Sequence, residues 1–172
     1  MEDPKATLER IVNVEDLKAA LEKIADVDPL EAVLEIGAGH GYSARFWLDS
    51  VGATGRVVSV DLRNRIWPTM NFDSRWELIV GNSTDLNTVA TVAQRAPFDL
   101  LLIDGDHRRE FLACDWAFYS PFVRPGGVVL FHDILHPLCL GARTFWLAFK
   151  ESHECETFAW DKCGVGVVRI TG

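Results

Sequence analysis

Apolar residues along this chain arrive in two rhythms. Leu8, Ile11, Val12, Val14, Leu17, Ala20, Leu21 and Ile24 recur at spacings that gather them on one face, which predicts an N-terminal amphipathic helix closed by Asp28-Pro29. Beyond it, short unbroken apolar runs alternate with stretches of helical spacing. The runs at 32–36, 56–60, 76–80, 98–103 and 127–132 predict strands, and 42–51, 64–71, 84–95, 109–121 and 137–151 predict helices. Runs with no polar alternation are those of parallel strands covered on both faces. Two further strand candidates, around 155–160 and 165–170, are joined by a turn containing Lys162 and Gly164, and their adjacency predicts antiparallel pairing. The expected fold is α/β, a doubly wound, seven-stranded and mostly parallel sheet whose last strand is antiparallel. It forms one domain over 1–172, with the helix at 1–28 and the α/β core at 30–171.

The most informative ten residues are V-L-E-I-G-A-G-H-G-Y at 33–42. An apolar strand ends in glycines at alternate positions, Gly37, Gly39 and Gly41, and a helical stretch follows. Glycine takes positive φ without steric cost and lets a ligand lie against bare backbone. A dinucleotide loop of the G-x-G-x-x-G type would need a further glycine where Tyr42 stands, and Glu35 would repel a pyrophosphate. A carboxylate there suits a cationic ligand. A glycine turn that binds nothing is the plain alternative.

Composition narrows the class without choosing the function. The 172 residues are 48% hydrophobic and 24% charged, a globular balance. No apolar run approaches a membrane span, and the opening M-E-D-P-K lacks a secretory core, so a cytoplasmic protein without membrane contact is expected. Cys114, Cys139, Cys155 and Cys163 form no C-x-x-C pair, which speaks against a zinc ribbon or redox dithiol. A net charge of −8 disfavours nucleic acid as a partner, although Arg63 and Arg65 could form a small basic patch.

The pattern E-x-G-x-G-x-G resembles motif I of the class I S-adenosylmethionine-dependent methyltransferases, and the strand–helix alternation over roughly 30–171 resembles their fold. The resemblance implies that Glu35, Gly37, Ala38, Gly39, Gly41 and Tyr42 serve the cofactor. In open α/β sheets ligands sit outside the carboxyl ends of the strands. Asp61, at the end of V-V-S-V-D with Leu62 beside it, suits the ribose hydroxyls, and the family uses an acid there; capping the next helix is the alternative. In G-N-S-T-D, Asn82 and Ser83 match the family's adenine contacts, whereas Thr84 and Asp85 read better as a helix start.

The stretch I-D-G-D-H at 103–107, followed by R-P-G-G and F-H-D-I, resembles a group of small-molecule O-methyltransferases that includes metal-dependent sugar and catechol enzymes. The resemblance implies a divalent cation, Mg²⁺ or Mn²⁺, held by Asp104, Asp133 and His132. The match departs at His132, where the metal-dependent enzymes usually carry an acid. Two carboxylates and an imidazole also suit Fe²⁺. Strand alternation would put His132 and Asp133 on opposite sides, so a packed histidine is an equal alternative. Asp104 and His107 are the catalytic candidates, His107 as general base because imidazole titrates near neutral pH. Its alternative is a capping or surface role. His136-Pro137 and Arg143 fall where the family's substrate loops lie, and Trp67 is the tryptophan expected near a pocket; Trp76, Trp116, Trp146 and Trp160 read as packing.

The expected function is O-methylation of a small hydroxylated acceptor from S-adenosylmethionine, with divalent-metal assistance. Two other readings stand beside it: a non-catalytic cofactor-binding protein of the same fold, and an NAD-dependent oxidoreductase. The latter is disfavoured by Tyr42, Glu35 and the lack of a second domain. With no large insertion to form a lid, an exposed or oligomer-completed substrate site is expected, which leaves a homo-oligomer open.

Overall fold

The computed structural model describes Leu17, Lys18, Ala20, Glu22 and residues 30–68, 70, 72–159 and 163–171. Those first four residues are helical, and the rest of the predicted N-terminal helix, with Asp28-Pro29, Trp160 and Lys162, lies outside the described residues. Seven strands follow: β1 (Ala32–Ile36), β2 (Arg56–Asp61), β3 (Trp76–Val80), β4 (Phe98–Ile103), β5 (Val123–Phe131), β6 (Glu156–Phe158) and β7 (Val165–Arg169). Between them lie α1 (Tyr42–Ser50), α2 (Leu86–Ala93), α3 (Arg109–Tyr119) and α4 (Leu140–Phe149). The sheet order is β3-β2-β1-β4-β5-β7-β6. β7 runs antiparallel to both its neighbours, and the other pairings are parallel, as the sequence predicts.

Alternate residues of each strand feed two cores. Leu34, Ile36, Leu101, Ile103, Val129 and Phe131 pack with Val92 of α2, Leu112 and Tyr119 of α3, and Phe145, Trp146 and Phe149 of α4. Val33, Val57, Leu100, Leu102, Val128 and Leu130 pack with Trp47 and Leu48 of α1 and with Leu17 and Ala20. Burial on both faces explains why these strands read as unbroken apolar runs. At the amino ends of the strands Asp99 anchors the start of β1, accepting from the Glu31 and Ala32 N–H groups at 2.8 and 2.7 Å while pairing with Arg124 at 2.5 Å. That leaves the carboxyl ends free for chemistry.

Two predicted elements differ. No helix forms at the described positions within 64–71; the Asn64 side chain takes the Ile66 N–H, and Met70 N–H bonds to Trp67 C=O, so local turns replace helical bonding. β5 starts at Val123, ahead of the predicted 127, because a register shift between Phe98 and Leu100 of β4 and a positive φ of 80° at Gly126 carry Pro125-Gly126 inside the strand. The strand therefore ends at Phe131, one residue before His132.

Candidate active site

The register aligns the strand ends. Ile36 stands opposite Val60 and Ile103, and Ile103 stands opposite Phe131, so Gly37, Asp61, Asp104 and His132 leave the sheet at one level. They open onto a cavity of about 790 Å³ lined by Gly37, Ala38, Gly39, Asp61, Leu62, Asn82, Ser83, Asp104, His107, His132 and Asp133. Its size is that of a cofactor site. These are the sequence candidates that line it; His40, Ser43, Arg65, Asp106, Arg108 and Phe111 line it too.

Gly37 and Gly39 have different structural reasons. At Gly37, φ is 102° and an added Cβ would lie 2.2 Å from the Asp104 carbonyl oxygen, so the loop packs directly on the neighbouring strand end. At Gly39, φ is 51° and an added Cβ would meet nothing within 4 Å. The bare backbone of Gly39 thus borders open cavity, as close ligand approach requires. Asp61, 6% exposed, accepts from the Gly39 N–H at 2.9 Å and the Arg63 N–H at 3.1 Å, and pairs with the exposed Arg65 at 3.2 Å. It therefore ties the glycine loop to β2.

Three cofactor candidates do not line the cavity. Gly41, with φ 95°, packs against Phe72 and Ile66, and Tyr42 leans on Trp67 with ring centroids 6.4 Å apart. Glu35 is fully buried on the α1 face of the sheet, where its Oε2 accepts from Ser59 Oγ at 2.7 Å and its Oε1 has no hydrogen-bond partner among the described residues. Burial pushes this carboxyl up from 4.5 to about 7. Glu35 is thus a sealed acid beneath the loop and does not line the cavity. Asn82 Oδ1 is engaged by the Thr84 N–H and hydroxyl, which leaves the Asn82 amide NH₂ as its remaining polar group. Asp85 caps α2 through the Asn87 N–H at 2.7 Å.

At the β4 and β5 ends of the cavity four ionisable side chains converge. His107 Nε2 lies 3.0 Å from Asp133 Oδ2 and 3.4 Å from Asp104 Oδ1. His132 Nδ1 lies 3.4 Å from Asp104 Oδ1 and 3.5 Å from Asp133 Oδ1. Asp133 adopts φ 58°, a left-handed conformation rare outside glycine, and this turn puts its carboxylate on the same side as His132. The alternation that separated the two in sequence does not apply, because both lie past the end of β5. Despite the short separations, His107 Nε2 and both ring nitrogens of His132 are buried without a hydrogen-bond partner among the described residues. Asp104, His132 and Asp133 each present a ligand atom within 4.8 Å of the others, so the group could hold a cation as well as pair internally.

The electrostatics follow from the packing. The carboxylates of Asp104 and Asp133 push His107 up to about 9. Burial pulls His132 down, but the same two carboxylates outweigh it and raise it well above 6.5. Asp104 and Asp133 are held below the usual carboxylate range by the two imidazoles, against the opposing effect of burial.

The structure also brings in residues that sequence reasoning passed over. Cys139, at the start of α4, places Sγ 3.8 Å from Asp133 Oδ2 and 3.5 Å from His136 Nδ1. No cysteine spacing signals this. Asp115 shares the buried face of α3 with Leu112 and Tyr119, both its oxygens lack hydrogen-bond partners among the described residues, and burial pushes it up to about 6. An acid on an apolar helical face was the available signal. His136 lines the cavity, Arg143 is exposed on α4 away from it, and Trp67 sets its ring edge-on to His40, 5.7 Å away, beside the glycine loop.

This arrangement defines a class I methyltransferase fold with its site at the strand ends. A family model described as Methyltransferase domain matches residues 34–134, and the chain belongs to that family. No curated protein matches the sequence. Solved structures with the same fold include the MycE methyltransferase of the mycinamycin biosynthetic pathway, in complex with Mg, S-adenosylhomocysteine and mycinamycin VI. It is 20% identical with a TM-score of 0.65, over 90% of this chain and 49% of that one. The O-methyltransferase TomG from Streptomyces achromogenes, in complex with S-adenosylmethionine, is 19% identical with a TM-score of 0.62, over 89% and 78% of the two chains. A Staphylococcus aureus protein assigned as a caffeoyl-CoA O-methyltransferase is 15% identical with a TM-score of 0.73, over 98% and 93%. The chain thus spans about half the length of MycE. Among the described residues no helix is long and apolar enough to cross a membrane.

Proposed function

We propose that the protein transfers the methyl group of S-adenosylmethionine to a hydroxyl of a small acceptor, with a divalent cation beside the reacting atoms. The observation that carries this reading is that the glycine loop and the Asp104, His107, His132 and Asp133 cluster open onto one cavity. In the transfer, the acceptor oxygen bonds to the methyl carbon as the carbon–sulfur bond breaks, and the electron pair neutralises the sulfonium. The hydroxyl proton must leave to a base. MycE and TomG, whose structures hold S-adenosylhomocysteine with Mg and S-adenosylmethionine respectively, support the choice of cofactor.

The residues present fit a cation: Asp104, His132 and Asp133 each offer a ligand atom, all within 4.8 Å of one another. Bound there, a divalent cation would lower the pKa of an acceptor hydroxyl and orient it. Gly37 and Gly39 leave room for the cofactor's backbone-side approach, and Asp61 fixes the loop that meets it. His107 is the base in this scheme. With the two carboxylates uncompensated it holds its proton at neutral pH, so it takes up a new proton only when positive charge offsets Asp104 and Asp133. That couples proton transfer to cation binding through this chain's own residues.

The test is release of S-adenosylhomocysteine from S-adenosylmethionine with catechol and sugar-hydroxyl acceptors. Turnover that stops with a chelator, returns with a divalent ion and is lost in Asp133→Ala supports the reading. Turnover unaffected by chelator and by Asp133→Ala refutes the metal and, with it, the coupling of His107 to cation binding.

A further inference from the structure

The donor set at the strand ends is unusual for a magnesium site. His132 is 4% exposed, and neither of its ring nitrogens has a hydrogen-bond partner among the described residues. A buried imidazole without hydrogen bonds costs free energy that the two carboxylates beside it, or a cation held with them, must offset. Its Nδ1 is 3.4 Å from Asp104 Oδ1 and 3.5 Å from Asp133 Oδ1. Two ligands at right angles around an ion with bonds of about 2.1 Å stand roughly 3 Å apart, so these separations suit neighbours in one coordination shell. A second triad shares Asp133: His107, Asp133 and Cys139 also offer ligand atoms within 4.8 Å of one another. Asp133 thus serves one group through Oδ1, beside His132, and the other through Oδ2, beside His107 and Cys139.

Magnesium favours oxygen ligands and keeps its waters, whereas imidazole and thiol donors favour the first-row transition metals. We propose that the cation site formed by Asp104, His132 and Asp133 selects a first-row transition-metal dication over magnesium, with His132 as the selecting ligand. This rests on the metal-assisted reading above and names the class of ion that it employs.

The experiment is calorimetric titration of chelator-stripped protein with Mn²⁺, Co²⁺ and Mg²⁺, with the visible spectrum of the Co²⁺ form as a second readout. In the wild-type chain Mn²⁺ and Co²⁺ should bind about tenfold or more tighter than Mg²⁺, and the Co²⁺ spectrum should carry the signature of nitrogen ligation. His132→Asp should narrow or reverse that preference. Equal or tighter Mg²⁺ binding in the wild-type chain, lost in Asp133→Asn, would overturn the selectivity and keep the metal. No binding of any of the three ions would overturn both. The wild-type ratio needs no variant, so a His132 substitution that fails to fold does not rescue the proposal.

Discussion

Glu35→Gln should change the pH dependence of stability by an amount the structure sets. Glu35 is 0% exposed, with one oxygen accepting from Ser59 and the other without a partner among the described residues. Burial raises its folded-state value from 4.5 to about 7, with Asp104 and Asp61 adding to the effect. A carboxyl that holds its proton more tightly when folded gives a stability that is greatest below 4.5 and falls as pH rises through 7. At 1.36 kcal/mol per tenfold change in proton affinity, the loss across that window is roughly 3 kcal/mol. Glutamine keeps the shape and carries no charge. Its NH₂ lacks a partner, but that cost does not vary with pH and cancels from the trend. Urea unfolding of both proteins at steps from pH 4.5 to 8 gives the difference in stability. The variant should gain on the wild type by roughly 3 kcal/mol across the range, with most of the gain below pH 7. A difference flat with pH would refute the sealed, desolvated placement of Glu35 beneath the glycine loop.

Three further outcomes follow from the site. Gly39→Val should keep cooperative thermal unfolding, at a cost of about 1–2 kcal/mol for the left-handed backbone, yet abolish S-adenosylhomocysteine binding, because its side chain would project into open cavity. Loss of the folded state in that variant would make the glycine structural only. Asp61→Ala should weaken S-adenosylhomocysteine binding by about 1–3 kcal/mol and also loosen the loop, because the Gly39 N–H loses its acceptor; unchanged affinity removes Asp61 from the site. Asp133→Ala should abolish divalent-cation binding while cofactor affinity, read by calorimetry, stays nearly unchanged; a parallel loss of cofactor affinity would contradict the separation of the two sub-sites.

The sheet was legible because β1, β2, β4 and the second half of β5 are buried on both faces, so each is an apolar run bounded by glycine, proline or charge. What sequence missed depended on irregular backbone. Pro68 and the local side-chain bonds of Asn64 break the apparent helical spacing at 64–71, and the bulge opposite Phe98 lets Pro125-Gly126 sit within β5. The site was legible to the extent that it follows strand order: Gly37, Asp61, Asp104 and His132 are successive strand ends brought level by register. The joint orientation of His132 and Asp133 was not, because it turns on one left-handed residue that period-2 reasoning cannot see. Nor was the arrival of Cys139, which two successive backbone turns, Asp133 to His136 and His136 to Cys139, fold back onto the cluster.

The central claim is that the cavity at these strand ends is built for S-adenosylmethionine. Calorimetric titration of the purified chain with S-adenosylhomocysteine and, separately, with NAD⁺ tests it most directly. The account predicts saturable binding of S-adenosylhomocysteine, one molecule per chain with at least micromolar affinity, and no binding of NAD⁺. Binding of NAD⁺ in preference to S-adenosylhomocysteine, or no heat from S-adenosylhomocysteine at protein concentrations well above that affinity, would contradict it.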